Sequence, residues 1–232
     1  MSFEPTKTSL LLISENVRQI LSGLPPGVQL IAAAKSRTPE EVNEAVSAGI
    51  RIIGHNYLQE AHAMIGQIDP SVEVHFIGHL QTKKIRKAVE ICNMIQTVDS
   101  MKTAEAIDAA SGQIGKIMPV LIEVNSGEEP QKHGVFPGEI EQLVRNMTEL
   151  QHVRILGLMT MGLFSENPED SRFCFNVTKQ CFDQLKSLNL SNTDFKWLSM
   201  GMSGSYKIAI EEGANMVRIG TGIFGSRDYS SV

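Results

Sequence analysis

The sequence predicts an α/β fold, a single (β/α)8 barrel of the TIM type with an extra N-terminal helix, on three observations. Eight short apolar runs of β-type residues occur in 232 residues, helix-type stretches separate them almost without interruption, and the connections are short. Strict alternation of strand and helix implies parallel strands joined by crossovers. Eight such units fit a closed barrel better than an open doubly wound sheet, whose strands usually number about five or six.

The elements follow in order. Residues 6–21 read as a helix leading into the first strand, at 28–35. Thr38-Pro39-Glu40-Glu41 then sets a capping residue before a proline at the first helical position, opening a helix over 40–48. The remaining strands read at 51–53, 72–77, 93–98, 117–124, 153–159, 195–200 and 216–219. Helices between them read at 58–67, 82–91, 101–110, 138–150, 169–188 and 206–212. The longest polar insertion, 125–134, reads as a loop, and residues 1–232 read as one domain with no linker or low-complexity segment.

Composition narrows the function classes. Lys and Arg total 21 against 26 Asp and Glu, a net charge of −5, which favours neither nucleic acid nor an anionic membrane as partner. Apolar runs such as 10–13 are far short of a membrane span, and the N-terminus shows no secretory pattern. Three cysteines fit a reducing compartment better than a disulfide framework, and Cys174 and Cys181, seven apart, read as shared packing. The expectation is a cytoplasmic protein.

In a barrel, chemistry belongs at the carboxyl ends of the strands. Those ends carry Lys35, Asn56, His75 with Gly78, Asp99, Asn125, Thr160, Ser199 and Arg218 with Thr221. By strand alternation Lys35 shares a face with Ile31 and the small Ala33, a setting with room for a planar partner bound to the amine as an imine; a solvated lysine ending a strand is the alternative. Ser199-Met200-Gly201-Met202-Ser203-Gly204-Ser205 and Arg218-Ile219-Gly220-Thr221-Gly222 offer two small-residue turns after the last two strands, where barrels often hold phosphate. Gly220-x-Gly222-x-x-Gly225 fits a dinucleotide fingerprint, but the seven residues after it leave no room for the rest of that motif. His75 and His79 are four apart with Gly78 between, so packing or turn roles are expected rather than a helical metal pair. Glu128, Glu129, Lys132 and His133 read as a solvated loop.

A lysine imine and a phosphate cradle in one mouth suit either a Schiff-base aldolase or a pyridoxal 5′-phosphate (PLP) protein. Here the motifs carry a resemblance. Residues 28–35 ending in Lys, Gly54-His55-Asn56-Tyr57-Leu58-Gln59-Glu60, His75-Phe76-Ile77-Gly78-His79-Leu80-Gln81 and Asn125-Ser126-Gly127-Glu128-Glu129 resemble the YggS/PROSC family of PLP homeostasis proteins. So do Lys132-His133-Gly134, Gly157-Leu158-Met159-Thr160-Met161 and the two turns just quoted, and the likeness extends over about residues 28–229.

The resemblance implies a fold-type III PLP-binding barrel similar to the N-terminal domain of alanine racemase, with PLP as a covalent imine on Lys35. It implies phosphate contacts from Ser199, Gly201, Ser203, Gly220 and Thr221, Arg218 facing the pyridine nitrogen, and Asn56 beside the ring. An arginine there keeps that nitrogen unprotonated and the ring a weaker electron sink. The family commonly has Gly-Glu-Asn where this chain has Gly54-His55-Asn56, so an acid is expected to be missing near the mouth. Racemisation needs a second base; Tyr57 and Tyr206 begin helices, Tyr229 lies in the tail, and eight units plus a leading helix use nearly the whole chain. The expectation is a monomeric carrier or regulator that buffers PLP, with PLP-dependent apoenzymes as recipients; an amino-acid racemase is the alternative.

Overall fold

The structure, a computed structural model, describes residues 6–163 and 165–226. Its strands are β1 (Gln29–Ala33), β2 (Ile52–His55), β3 (Glu73–Phe76), β4 (Met94–Val98), β5 (Met118–Glu123), β6 (Val153–Met159), β7 (Thr193–Ser199) and β8 (Met216–Ile219). They pair in parallel in sequence order, and β8 returns to β1, with Ile31 opposite Arg218, to close the barrel. Alternation along each strand sorts the side chains into two layers. Ile31, Ile52, Met94, Leu121, Met159 and Met216 cluster inside the barrel. Their outward neighbours, such as Leu30, Ala32, Ile53, Val217 and Ile219, pack beneath the helices.

Those helices are α1 (Lys7–Gly23), α2 (Pro39–Ser47), α3 (Leu58–Met64), α4 (Ile85–Ile91), α5 (Met101–Gln113), α6 (Ile140–Met147), α7 (Arg172–Ser187), α8 (Tyr206–Glu211) and α9 (Thr221–Phe224). The capping sequence before α2 forms a reciprocal box: Glu41 N–H donates to Thr38 Oγ1 and Thr38 N–H to Glu41 Oε2. Cys174 is buried on α7 and Cys181 packs against the core.

α1 is the predicted leading helix. It buries Ile13 and Val17 against the outer layer, each worth about 1.5–3 kcal/mol, more than the roughly 1 kcal/mol of its Thr6 cap. Asn16 Nδ2 on α1 donates to the carbonyl of Ile223 on α9 at 3.0 Å. α9 begins within the predicted Gly220-Thr221-Gly222 turn, where no helix is expected from the sequence. Three glycines over 220–225 argue against helix, but burial of Ile223 and Phe224 overrides that propensity.

Candidate functional site

β1 stops at Ala33, so Lys35 stands two residues beyond the ladder, at the carboxyl mouth of the barrel. The chain turns sharply after it: Ser36 has φ 58°, and its N–H donates to Glu60 Oε2 of α3 at 3.2 Å. Lys35 is half-buried with Nζ 5.1 Å from the centroid of the Tyr57 ring, and it has no hydrogen bond or ion pair among the described residues. Asn56 follows β2 at the same end. Its position depends on Gly78, where a Cβ would lie 2.4 Å from the Asn56 carbonyl oxygen, so no larger residue fits without moving the loop.

The turns after β7 and β8 lean on each other. Ser203 Oγ accepts from the N–H groups of Gly220 at 3.3 Å and Gly222 at 3.1 Å. Gly201 holds φ 87°, and a Cβ there would stand 2.6 Å from Ala209 Cβ and 2.8 Å from Tyr206 Cα, which brings the β7 turn down onto α8. A Cβ on Gly220 would meet the Ala33 carbonyl at 3.3 Å, so the β8 turn lies against the end of the strand that leads to Lys35. The result is a cradle of small residues, main-chain groups and hydroxyls at the mouth that also carries Lys35.

Under this cradle a polar chain runs through the buried Arg218, Ser199, Gln96 and His75 to the exposed Glu73. Arg218 is 3% exposed; its Nη1 donates to Ser199 Oγ at 2.7 Å and its Nη2 to the Thr160 carbonyl at 2.8 Å. Ser199 Oγ donates in turn to Gln96 Oε1 at 2.8 Å, Gln96 Nε2 to His75 Nδ1 at 2.9 Å, and His75 Nε2 to Glu73 Oε2 at 3.1 Å. Burial lowers the Arg218 pKa to about 10, opposed by the attraction of Glu123. Burial, then the neighbouring Asp99, raises the Glu123 carboxyl to about 7, while Arg218 pulls it down. No carboxylate lies within ion-pair distance of Arg218 among the described residues, so a cation sits below the cradle without a close counter-ion.

Of the residues singled out from sequence, Lys35, Asn56, Gly201, Ser203, Arg218, Gly220 and Thr221 gather at this mouth. Ser199 does not join the cradle: its side chain is fully buried, and its hydroxyl is committed to Arg218 and Gln96. His55 corrects a second expectation. Gly54 faces the barrel interior, against Ile31 and Ile77, so alternation turns His55 outward into the layer beneath the helices rather than to the mouth. There it is fully buried with neither ring nitrogen hydrogen-bonded, and burial lowers its pKa to about 4. The 125–134 loop is a third correction. Glu128 and His133 are exposed as expected, but Asn125 is buried, and Asn125, Glu129, Lys132 and His133 also help line a cavity of about 380 Å³ that takes in Asn56, Glu123 and Thr160. Lys132 pairs with Glu129 and donates to the Gly162 carbonyl at 3.1 Å across the cavity wall. Gln96 and Glu123 were missed. The available signal was a polar residue inside an otherwise apolar strand, as in Met94-Ile95-Gln96-Thr97-Val98.

The family described as alanine racemase, N-terminal domain, matches residues 9–228. A pyridoxal phosphate homeostasis protein of Aquifex aeolicus is 38% identical over 202 residues, covering 87% of this chain and 88% of its own. The human pyridoxal phosphate homeostasis protein is 34% identical over 242 residues, covering 96% and 86%. Among solved structures, PipY of Synechococcus elongatus with PLP bound superposes with a TM-score of 0.85 at 33% identity, covering 92% of this chain and 100% of that one. No helix among the described residues is long and apolar enough to cross a membrane.

Proposed function

The chain belongs to the family of pyridoxal phosphate homeostasis proteins, built on the alanine racemase N-terminal domain, and from that premise we propose that it holds PLP covalently through Lys35 Nζ. The observation that carries this reading is the setting of Lys35: a half-buried amine without an ion pair or hydrogen bond among the described residues, next to a cradle of backbone donors. The donor set suits the cofactor. Ser203 Oγ orders the turns by taking the Gly220 and Gly222 N–H groups, and Gly201, Gly220 and Thr221 would leave room there for a phosphate close to the backbone. Asn56, fixed by Gly78, would border the ring.

When bound, PLP contributes an electrophilic aldehyde and an electron-withdrawing ring. Arg218 works against the second of these. Its guanidinium is fixed by Ser199 and Thr160, and facing the pyridine nitrogen of bound PLP it would oppose protonation there and so restrain carbanion chemistry. Ser199 therefore acts as a positioning residue for Arg218 rather than as a phosphate ligand. Tyr57 lies on the same side as Lys35 through its ring contact, Tyr206 begins α8, and Tyr229 lies outside the described residues, so no tyrosine is assigned as an opposing base. In this reading the protein is a cytoplasmic, monomeric carrier that protects and releases PLP to PLP-dependent apoenzymes, without turnover of its own.

Borohydride reduction of the purified PLP-loaded protein, followed by peptide mass spectrometry, tests the attachment. A pyridoxyl adduct on Lys35, absent from Lys35→Ala along with the visible colour, is expected; an adduct on another lysine overturns the assignment. Sustained racemisation of any of a panel of L-amino acids, lost in Lys35→Ala, overturns the carrier role.

A further inference from the structure

His79 has a partner that its spacing from His75 pointed away from. His75 faces the barrel interior, bonded to Gln96 and Glu73. His79, in the loop after β3, instead stacks on His133 from the loop after β5, with ring centroids 3.6 Å apart and planes 9° from parallel. Asp99, just past the end of β4, sits with Oδ2 3.8 Å from His79 Nδ1. One ligand atom from each of the three lies within 4.8 Å of the other two.

Three features of this group suit a metal. First, 3.8 Å is too long for a hydrogen bond but close to the separation of two ligands on one ion, about 3–4 Å when each bond is about 2.0–2.1 Å. Second, the carboxylate is already oriented: Asp99 Oδ1 accepts from Ser100 Oγ at 3.1 Å and Thr103 Oγ1 at 2.9 Å, leaving Oδ2 toward the histidines. Third, the rings are exposed at the rim, so they can splay from their parallel stack to aim their lone pairs at a common point without unpacking a core. The adjacent cation, Lys132, is engaged by Glu129 and the Gly162 carbonyl.

We propose that His79, Asp99 and His133 form a binding site for a divalent transition metal of the zinc class. Two imidazoles and one carboxylate, without thiolate, select borderline dications such as Zn²⁺ over Cu⁺, and over the all-oxygen sites of Mg²⁺ or Ca²⁺. Three protein ligands leave a position open, and His79 and His133 both line the cavity of the mouth, so that position faces a small molecule held there. Its ligands come from the loops after β3, β4 and β5 rather than from the β7 and β8 turns, and it does not depend on the PLP reading.

The test is Zn²⁺ competition with a chromogenic chelator, together with the visible spectrum of the Co²⁺-substituted protein. The full tag-free chain would be used, both as purified and as Lys35→Ala so that PLP does not compete for metal. One Zn²⁺ per chain is expected, weakened about 30-fold or more by His79→Ala, His133→Ala and Asp99→Asn, and about 10-fold by Thr103→Val, which frees the carboxylate. His152→Ala, which removes a histidine from a different His–Asp pair at 3.6 Å, should leave the affinity unchanged. The proposal is overturned by an absence of saturable 1:1 binding, or by stoichiometric binding that survives His133→Ala. Because His133 is an exposed loop residue, matching circular dichroism and thermal unfolding make that variant decisive.

Discussion

Ser199 Oγ donates to Gln96 Oε1 across 2.8 Å inside the closed barrel, linking residues 103 positions apart. The same oxygen accepts from Arg218, so this bond decides where the guanidinium below the cradle points. Arg218 can only donate, which leaves the Ser199 proton for Gln96 and the Gln96 amide for His75.

Ser199→Ala removes the middle of this chain and leaves a buried guanidinium N–H and an amide oxygen unpaired. A loss of about 2–4 kcal/mol in urea unfolding is expected, from one or two unsatisfied groups at about 1–3 kcal/mol each. PLP should remain attached at Lys35. A phosphate-ligand role for Ser199 predicts the opposite balance, near-normal stability with weakened PLP binding.

Ser203→Ala takes away the acceptor of the Gly220 and Gly222 N–H groups, at the exposed edge of the cradle. PLP affinity, followed by release into a dialysed PLP-free solution, should fall about tenfold while stability changes by no more than about 1 kcal/mol.

Two buried groups give the protein opposing pH dependences. His55 has its pKa lowered to about 4 by burial, so between about 6.5 and 4 the unfolded chain binds a proton that the folded one refuses, and stability falls as pH falls. Glu123 has its pKa raised to about 7, so the unfolded chain ionises first, and stability falls as pH rises from about 4.5 to 7. Each effect is worth at most about 3 kcal/mol. Chemical denaturation from pH 4.5 to 7.5 should show stability declining with pH in His55→Leu and increasing with pH in Glu123→Gln. Parallel profiles for the two variants would contradict both assignments.

Gly78→Ala would force a methyl group against the Asn56 backbone. The expected result is a loss of about 1–3 kcal/mol together with weaker PLP binding, measured by thermal unfolding and absorbance titration on the same sample. Unaltered PLP affinity would show that Asn56 does not need its present position.

Much of this architecture is legible in the chain because parallel barrel strands are buried on both faces and so appear as continuous apolar runs. Lys35 and the two glycine-rich turns stand out for the same reason: they interrupt or end such runs. The role of Ser199 does not, since its hydroxyl is turned inward by Gln96, a partner three strands away around the barrel wall. The place of His55 depends on which face Gly54 takes, and a four-residue strand of Ile-Ile-Gly-His has no polar alternation to mark it. The 125–134 loop is polar in composition whether it faces solvent or folds over a cavity. Only the return of Val135, whose N–H donates to the Glu123 carbonyl at 2.8 Å, brings it over the mouth.

The tether between α1 and α9 gives the first helix a place in the energetics of the mouth. Asn16 on α1 holds the Ile223 carbonyl, and Arg37 Nη2, just before α2, holds that of Gly225 at 2.7 Å, so the short turn bearing Thr221 is clamped from outside the barrel. A ligand resting on that turn favours conformations in which the clamp is closed, and mass action extends the same preference to the docking of α1. Susceptibility of α1 to limited proteolysis thus becomes a remote gauge of whether the mouth is filled.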